Sequence, residues 1–249
     1  MEHIISEKEI KKHLDDGALP VYVFDCIDST NRFAKTLTED FALVVADCQM
    51  NGRGRLNRSF HSPKGTGIYM SLKVRINDLY SNVPFLTTLC AVCVHKAIKR
   101  LFGFDCGIKW VNDIYIGNKK VSGILCEACD DSHAVIGIGI NFYPSVLPEE
   151  LKGVATHLTE HGSTVTREQL SALICNNILK AVKALPDTAS MEYYKKHSIV
   201  IGKKVLCIQG DNSFSAIATD IDPFGALVVE TADGLRKLST GEITLRFTD

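Results

Sequence analysis

The chain has 249 residues, a hydrophobic content of 45% and a formal charge of −1 at pH 7. This length allows one large domain, or a large and a small one, with a sizeable core. The near-zero net charge excludes a general electrostatic attraction to nucleic acid or to an anionic membrane surface.

Other features of composition bear on where the protein works. No apolar run approaches the ~20 residues of a membrane span, and the polar N-terminal segment does not resemble a signal peptide. Several of the nine cysteines lie in apolar periodic stretches, where a free thiol behaves as a small hydrophobic group. No Cys/His cluster has zinc-site spacing. We therefore expect a reduced, cytoplasmic protein with no membrane contact.

Helical and strand patterns alternate along the first part of the chain, which predicts an α+β domain over residues 1–198. Ser6 and Glu9 form a capping box that begins the first helix. The predicted helices cover residues 7–15, 29–39, 83–102, 166–185 and 187–197. The predicted strands, which form a mixed sheet, cover 21–27, 41–48, 67–75, 107–110, 113–129 and 132–143, with a turn at Gly117–Asn118.

The pattern changes after His197. About five short strands alternate with turn residues, which predicts a small all-β barrel over residues 199–249. The predicted turns lie at Gly210–Asp211, 223–225, Asp233–Gly234 and Gly241.

Four segments carry candidate chemistry, and the first is DSTN, Asp28 to Asn31. One interpretation is a helix cap. The other is a binding site, because hydroxyls and an amide at a helix N-terminus suit a polar, uncharged ligand group. The four residues alone do not decide between the two.

The second segment is a loop rich in glycine and arginine. From Asp47 to Arg75 there are six Lys or Arg and one acid. The loop is either a solvated basic segment or an anion site, in which glycine backbones approach the anion and guanidinium groups bind phosphate oxygens. Its spacing is not that of a P-loop. A nucleic-acid interface is disfavoured by the neutral charge of the chain.

The third and fourth segments lie on predicted strands. In 109–127, Lys120 precedes the small residues Ser122 and Gly123, which indicates a ligand lying against the strand. The pair Asn112–Asp113 is either a turn or a Mg²⁺ site. In GIGIN, residues 137–141, the glycines alternate with isoleucine, so one face is core and the other is open to something bulky and flat.

Together, these segments resemble the motif series of the biotin–protein ligases. The family motifs DSTN, Q-x-x-GRGR, KWPND, K-[aliphatic]-[AS]-GIL-x-E and GIGIN correspond in order to 28–31, 49–55, 109–113, 120–127 and 137–141. The resemblance covers about residues 20–249. Val111 stands where the family usually has Pro, which we expect to loosen the turn before Asp113, and Asn57 stands where Gly is frequent.

The resemblance implies a fold and a reaction. The fold is a catalytic domain like those of class II aminoacyl-tRNA synthetases and lipoate ligases, followed by an SH3-like barrel. The reaction is ATP-dependent activation of biotin to biotinyl-5′-AMP and transfer of biotin to a lysine of an apo biotin carboxyl carrier domain. Segments 52–67 and 144–156 are natural lids over the reactive adenylate.

The resemblance also implies roles for individual residues. Lys120 and Arg55 are the catalytic residues, and Asp113 is the candidate Mg²⁺ ligand. The predicted biotin-binding residues are Ser29, Thr30, Asn31, Gln49, Gly52, Arg53, Gly54, Arg55, Lys120, Gly123, Gly137 and Gly139. The predicted ATP and adenylate-binding residues are Arg53, Arg55, Arg58, Lys109, Asn112, Asp113, Lys120 and Asn141.

Alternatives remain open at this level. A lipoate–protein ligase is disfavoured because its typical GGG run is absent, and a non-catalytic sensor is disfavoured by the intact Lys120 and Arg55. Only about twenty residues precede the first core strand, so the resemblance implies an enzyme without the DNA-binding domain of repressor-type ligases and without specific DNA binding. The oligomeric state is left open, a homodimer included.

Overall fold

The computed structural model of the protein describes residues 5–76, 79–159, 163–185, 188–209, 211–239 and 243–247. Four features predicted from the sequence lie outside the described residues: the start of the helix at 187, the turn residues Gly210 and Gly241, and the side chain of Asn57.

The helices are α1 (Glu7–Lys11), α2 (Thr30–Thr36), α3 (Leu79–Phe102), α4 (Arg167–Lys183) and α5 (Thr188–Lys196), with short 3-10 helices at Arg55–Asn57 and Glu149–Leu151. The first seven strands are β1 (Val21–Phe24), β2 (Ala42–Ala46), β3 (Gly67–Arg75), β4 (Cys106–Lys109), β5 (Asp113–Ile116), β6 (Lys119–Ala128) and β7 (His133–Asn141). The last five are β8 (Lys204–Gln209), β9 (Asn212–Ile221), β10 (Leu227–Thr231), β11 (Gly234–Leu238) and β12 (Ile243–Phe247).

Local hydrogen bonds explain where the helices begin and end. Ser6 caps α1 by accepting from the Glu9 N–H. The predicted capping box is wrong in its other half, because the Ser6 N–H donates to Glu168 Oε1 and the Glu9 carboxylate accepts from Lys12 instead. The helix nevertheless ends at Lys11 rather than at residue 15, because the His13 carbonyl accepts from Asn176 Nδ2 and the Asp15 N–H donates to Asn176 Oδ1 in place of helical partners. Helix α4 has the complete capping box at its N-terminus.

The first sheet has the strand order β1-β2-β3-β7-β6-β5-β4. β1 pairs with β2 in parallel and the other described pairs are antiparallel, so the mixed sheet is confirmed. The predicted segment 113–129 is two strands, β5 and β6, joined by the predicted turn. Gly117 adopts a φ of 56° there, which glycine accommodates without steric cost.

The two faces of this sheet differ. Helix α3 lies against β4 to β7 on one face, α4 packs on α3 and β3, and α5 packs on α3. The apolar positions of α3 at helical spacing, Leu86, Leu89, Cys93 and Ala97, are buried there as predicted. The other face carries α2, which packs on β2, β3 and β7.

The second sheet is antiparallel, with the order β11-β10-β9-β8-β12, and confirms the predicted count of five strands. It attaches beside β4, where the segment after α5 pairs with Ile108: the Ile108 N–H donates to the His197 carbonyl at 2.8 Å and the Ile199 N–H donates to the Ile108 carbonyl at 3.0 Å. A Cβ atom at Gly107 would lie 2.1 Å from the Ile199 side chain. The boundary between 198 and 199 stays a prediction. Among the described residues, no helix is both long and apolar enough to cross a membrane.

Candidate active site

One cavity of about 320 Å³ brings together nearly all the residues predicted from the sequence. Every predicted site residue lines it except Gly52 and Asn141. It lies on the glycine side of β6 and β7, beneath the N-terminus of α2 and the Gly/Arg loop. Its volume falls within the range of about 300–1,000 Å³ that is usual for small-molecule sites.

One end of the cavity is polar and uncharged. Ser29 is the N-cap residue of α2, yet its side chain makes no capping hydrogen bond, so the capping interpretation does not account for its hydroxyl. Gln49 Oε1 accepts from the Thr30 backbone N–H at 2.9 Å and lies 3.0 Å from Thr30 Oγ1. Gln49 Nε2 donates to Ser62 Oγ at 3.1 Å. The DSTN segment and the start of the Gly/Arg loop therefore form a single hydrogen-bonded unit.

Asn31 occupies the space above Gly137. A Cβ atom at Gly137 would lie 2.1 Å from Asn31 Oδ1, so the glycine is needed for the close approach of this amide. The expected open face at position 137 is therefore partly filled by the chain's own Asn31. Asn31 is 5% exposed, and its role in biotin binding stays a prediction.

A second glycine, Gly139, accommodates an aromatic ring of the protein. A Cβ atom there would lie 2.5 Å from the Phe60 ring, which packs edge-on against Tyr69. The Phe60 ring therefore lies over the glycine face at this position, and the role of Gly139 in ligand binding stays a prediction. Gly123 similarly faces the Lys120 side chain, whose Nζ would lie 2.9 Å from an added Cβ.

The other end of the cavity is cationic. Arg53, Arg55, Arg58, Lys109 and Lys120 all line the cavity, and Arg55, Arg58 and Lys120 lie near Asp113 at this end. Arg55 Nη1 donates to Asn112 Oδ1 at 3.3 Å and so connects the Gly/Arg loop to the loop after β4. Burial lowers the pKa of Arg55, an effect that Asp113 and Tyr194 oppose and Arg58 reinforces. The partly desolvated guanidinium still carries its charge, because an arginine does not deprotonate in proteins.

Asp113 is the carboxylate of this cationic end, and among the described lining residues it is the single acid. Lys120 Nζ lies 2.7 Å from Asp113 Oδ1, yet that oxygen is buried and accepts no well-aligned hydrogen bond. Within the described residues there is no group of three or more metal-ligating His, Cys, Asp or Glu side chains. Mg²⁺ usually binds through one or two carboxylates together with substrate phosphates. Asp113 therefore fits a Mg²⁺ ion that arrives with a nucleotide.

The loop after β4 is anchored by hydrogen bonds to neighbouring elements. Tyr194 donates its hydroxyl to the Val111 carbonyl at 3.1 Å, and Trp110 Nε1 donates to the Gly225 carbonyl of the second sheet at 2.9 Å. The peptide bond between Trp110 and Val111 is cis. Val111 is fully buried, and both residues have hydrogen-bond partners in neighbouring elements. The expectation that Val111 loosens this turn relative to Pro stays a prediction.

The two predicted lids contact each other. His61 Nε2 lies 3.2 Å from the Val146 carbonyl, which joins segments 52–67 and 144–156. The second segment also pairs with β6, since the Lys120 N–H donates to the Val154 carbonyl at 2.9 Å and the Thr156 N–H donates to the Lys120 carbonyl at 2.9 Å. Leu151 from this segment lines the cavity.

Gly52 and Asn141 lie outside the cavity wall. A Cβ atom at Gly52 would lie 2.5 Å from the Phe60 carbonyl oxygen, so this glycine allows two parts of the loop to pair. Asn141 Nδ2 donates to the Thr156 carbonyl at 3.0 Å and anchors the second lid. Their contribution to ligand binding stays a prediction.

Several residues of the site were not predicted. The aromatic and apolar lining side chains that sequence reasoning missed are Leu56, Phe60, Met70, Trp110, Tyr115, Ile124, Leu125, Ile138 and Leu151. Trp110 had a usable signal, because it lies within the KWVND motif. Phe60 had none of its own: an aromatic residue in a basic loop has no fixed direction until the loop folds.

Comparison with known proteins agrees with this geometry. Residues 23–141 match the model of the biotin/lipoate A/B protein ligase family, and residues 200–246 match the biotin protein ligase C terminal domain. The bifunctional ligase/repressor BirA of Bacillus subtilis is 33% identical over 97% of this chain and 79% of its own length. The biotin–[acetyl-CoA-carboxylase] ligase of Mycobacterium tuberculosis is 26% identical over 87% of this chain and 83% of its own.

A solved structure is similar throughout. The biotin protein ligase of Aquifex aeolicus, in complex with biotin and ATP, superposes with a TM-score of 0.80 at 26% identity, over 92% of this chain and 99% of that one. The chain therefore belongs to the biotin/lipoate A/B protein ligase family and, within it, to the biotin–protein ligases.

Proposed function

We propose that this enzyme, a biotin–protein ligase by family, uses the cavity to join biotin and ATP into biotinyl-5′-AMP and then transfers biotin to a carrier lysine. The observation that carries this assignment is the arrangement of the cavity. A neutral, hydrogen-bonding end formed by Ser29, Thr30 and Gln49 lies in the same enclosure as a cationic end formed by arginines and lysines. The first suits an uncharged polar ring, and the second suits a carboxylate meeting a phosphate chain.

In the first step, a carboxylate oxygen of biotin attacks the α-phosphorus of ATP, a new P–O bond forms, and pyrophosphate leaves. Both reactants are anions, so their repulsion is a main barrier to approach. Arg55 and Lys120, which line the cationic end near Asp113, reduce this repulsion. Preorganised groups of this kind are typically worth about 10²–10³ in rate each. Asp113 would hold Mg²⁺, which neutralises phosphate charge when it is bound.

In the second step, the ε-amine of the carrier lysine attacks the carbonyl carbon of the mixed anhydride and AMP leaves with the bonding electron pair. The anhydride hydrolyses in water, so the site must exclude solvent until the carrier arrives. The Arg55–Asn112 hydrogen bond and the His61–Val146 contact hold the two lids over the cavity and serve this purpose.

The partners follow from the reaction. The acceptor is an apo biotin carboxyl carrier domain. We expect no sequence-specific DNA binding, since the net charge of −1 gives no general attraction. The oligomeric state, including a homodimer, is open to measurement by light scattering.

The test is direct. The protein is incubated with ATP, Mg²⁺, labelled biotin and an apo carrier domain, and pyrophosphate release and label on the carrier are measured separately. We expect both, with a carrier Lys→Arg variant remaining unlabelled. Lipoate in place of biotin tests the alternative substrate of the family. Labelling by lipoate but not by biotin would overturn the assignment.

A further inference from the structure

We propose that Glu127, together with Ser71, is a positioning residue that fixes the hydrogen-bond direction of the polar end of the cavity. This inference rests on the proposed function. Neither side chain lines the cavity, and Glu127 ends the GILCE motif without a role in the reaction derived above. Both act through Asn31.

The Asn31 side chain links β3 to β6 across the intervening strand β7. In the sheet, Ser71 of β3 is the partner of Gly137 of β7, and Gly137 is the partner of Leu125 of β6. The Asn31 amide lies over Gly137 and reaches both sides. Its Nδ2 donates to Glu127 Oε2 at 2.8 Å, and its Oδ1 lies 2.6 Å from Ser71 Oγ.

The carboxylate decides which end of the amide faces which strand. An ionised carboxylate only accepts hydrogen bonds, and the Leu125 carbonyl, 3.4 Å from Asn31 Nδ2, also only accepts. The NH₂ end of Asn31 must therefore face β6 and its oxygen must face β3. Ser71, which is fully buried, must then give its single hydroxyl proton to Asn31 Oδ1.

This assignment extends to the cavity. Ser71 Oγ lies 2.7 Å from Thr30 Oγ1. Because the Ser71 proton is already directed to Asn31, the Thr30 hydroxyl proton is the one available for the Ser71–Thr30 contact, with Gln49 Oε1 as the competing acceptor at 3.0 Å. In both arrangements the Thr30 proton points into the protein. The oxygen of Thr30 is left as an acceptor, which suits an N–H group of the ligand.

Glu127 is held in its ionised form by its surroundings. Burial alone would raise its pKa, but hydrogen bonds from Lys35 and Asn31, together with the positive charges of Lys35 and Arg53, keep the pKa of Glu127 below its ordinary value. Lys35 Nζ lies 2.8 Å from Glu127 Oε1, while Asn31 uses the other oxygen. Mutations can therefore remove the Lys35–Glu127 ion pair and the Asn31–Glu127 hydrogen bond separately.

The experiment compares four variants for biotin binding, adenylation and thermal stability. Glu127→Leu removes the acceptor and should raise the biotin KM about ten- to a hundredfold, the range expected when a buried polar group loses its partner. The KM for ATP and kcat at saturating biotin should change less than about threefold. Glu127→Gln keeps one acceptor oxygen and should restore most of the affinity. Lys35→Met removes only the ion pair and should stay within about threefold of the unmutated protein.

The fourth variant, Ser71→Ala, tests whether Glu127 and Ser71 act through the same Asn31 amide. It should raise the biotin KM as Glu127→Leu does. The biotin KM of the double variant, Glu127→Leu with Ser71→Ala, should exceed that of the more impaired single variant by less than about threefold, because both substitutions act on the same amide. A variant whose KM for ATP rises as many-fold as its KM for biotin, and whose Tm also falls, would indicate a merely structural role and overturn the inference. So would a Glu127→Leu variant with normal biotin KM. The unmutated protein separates the two failures: if it does not bind biotin, it is the proposed function that fails.

Discussion

Trp110 donates its indole N–H to the carbonyl oxygen of Gly225 at 2.9 Å, inside a buried contact between the two sheets. Trp110 also lines the cavity, so a turn of the C-terminal barrel supports a wall of the active site. The turn is stabilised by Asp222, whose Oδ1 accepts the N–H groups of Phe224 and Ala226. The barrel therefore has a structural connection to the adenylation chemistry.

Trp110→Phe tests this connection. The substitution leaves the Gly225 carbonyl without its donor, and we expect a loss of about 1–3 kcal/mol in the free energy of unfolding, together with a raised KM for ATP. Urea unfolding and pyrophosphate release measure the two effects. Thr219→Val is the control, since it removes a donor to the Val228 carbonyl at an exposed position of the barrel and should cost less than about 0.5 kcal/mol. A normal KM for ATP in Trp110→Phe would limit the contact to stability.

Lys120→Ala should reduce adenylation by about a hundredfold or more while the fold is retained. The side chain lies in the cavity beside Asp113, whereas its structural contacts to segment 154–156 are made by the backbone and survive the substitution. Lys119→Ala is a matched control, because Lys119 is the adjacent exposed residue on β6 and does not line the cavity. Near-normal pyrophosphate release by Lys120→Ala at saturating biotin would contradict the catalytic role.

Charge reversal on the barrel should affect carrier transfer more than adenylation. The sequence offers Lys203, Lys204, Arg236 and Lys237, and biotin carriers are expected to be acidic. The structure pairs Lys237 with Asp222 at 3.2 Å, so reversing Lys237 would also disturb the turn under Trp110. The cleaner variant reverses the other three.

For that triple variant, we expect adenylate formation within a few-fold of normal and slower transfer to the carrier. The defect should shrink as salt is raised, because exposed charges act mainly on the rate of encounter. Lys237→Glu alone is the comparison, and it should reduce adenylation instead. If the triple variant transfers biotin at the normal rate at low salt, these cations do not guide the carrier.

His95 should make the protein less stable in mild acid. It is fully buried, with its ring nitrogens 3.0 Å from Tyr193 Oη and 2.9 Å from the Cys106 carbonyl oxygen. Burial lowers the pKa of His95, and the nearby His197 and Lys99 add to this, although the Cys106 carbonyl and Asp105 oppose it. The folded protein thus favours the neutral ring.

The direction of this pH effect follows from the difference in proton binding between the folded and unfolded protein. The unfolded chain binds a proton at His95 near pH ~6.5, where the folded protein still does not. The free energy of unfolding is therefore unaffected by this residue well above pH 7 and falls as the pH drops through the unfolded pKa. His95→Gln should flatten this part of the curve of stability against pH in urea titrations. His13→Gln, at an exposed position, is the control for the loss of one histidine.

The DSTN and GIGIN motifs show how much of the site could be predicted from the sequence. DSTN predicted either a helix cap or a site for a polar, uncharged group. GIGIN predicted a glycine face open to a bulky, flat group, and the five motifs in order predicted the family. Gly137 and Gly139, however, could not be assigned to Asn31 and Phe60, since those contacts join residues about 80 to 106 positions apart in the chain. The Asn31 contact is fixed by the register of β3, β7 and β6, which no local pattern encodes.

The sequence by itself determined the order of the elements, the cationic character of one loop and most of the residues of the cavity, because capping, alternation and motif chemistry are local properties of the chain. The tertiary structure alone decided which side chains do not touch the ligand site but orient it, as with Ser71 and Glu127, and which barrel turn supports Trp110. Those relationships depend on strand register and on packing between sheets. Hydrogen bonds between distant residues form only where the folded backbone brings a donor and an acceptor to about 3 Å.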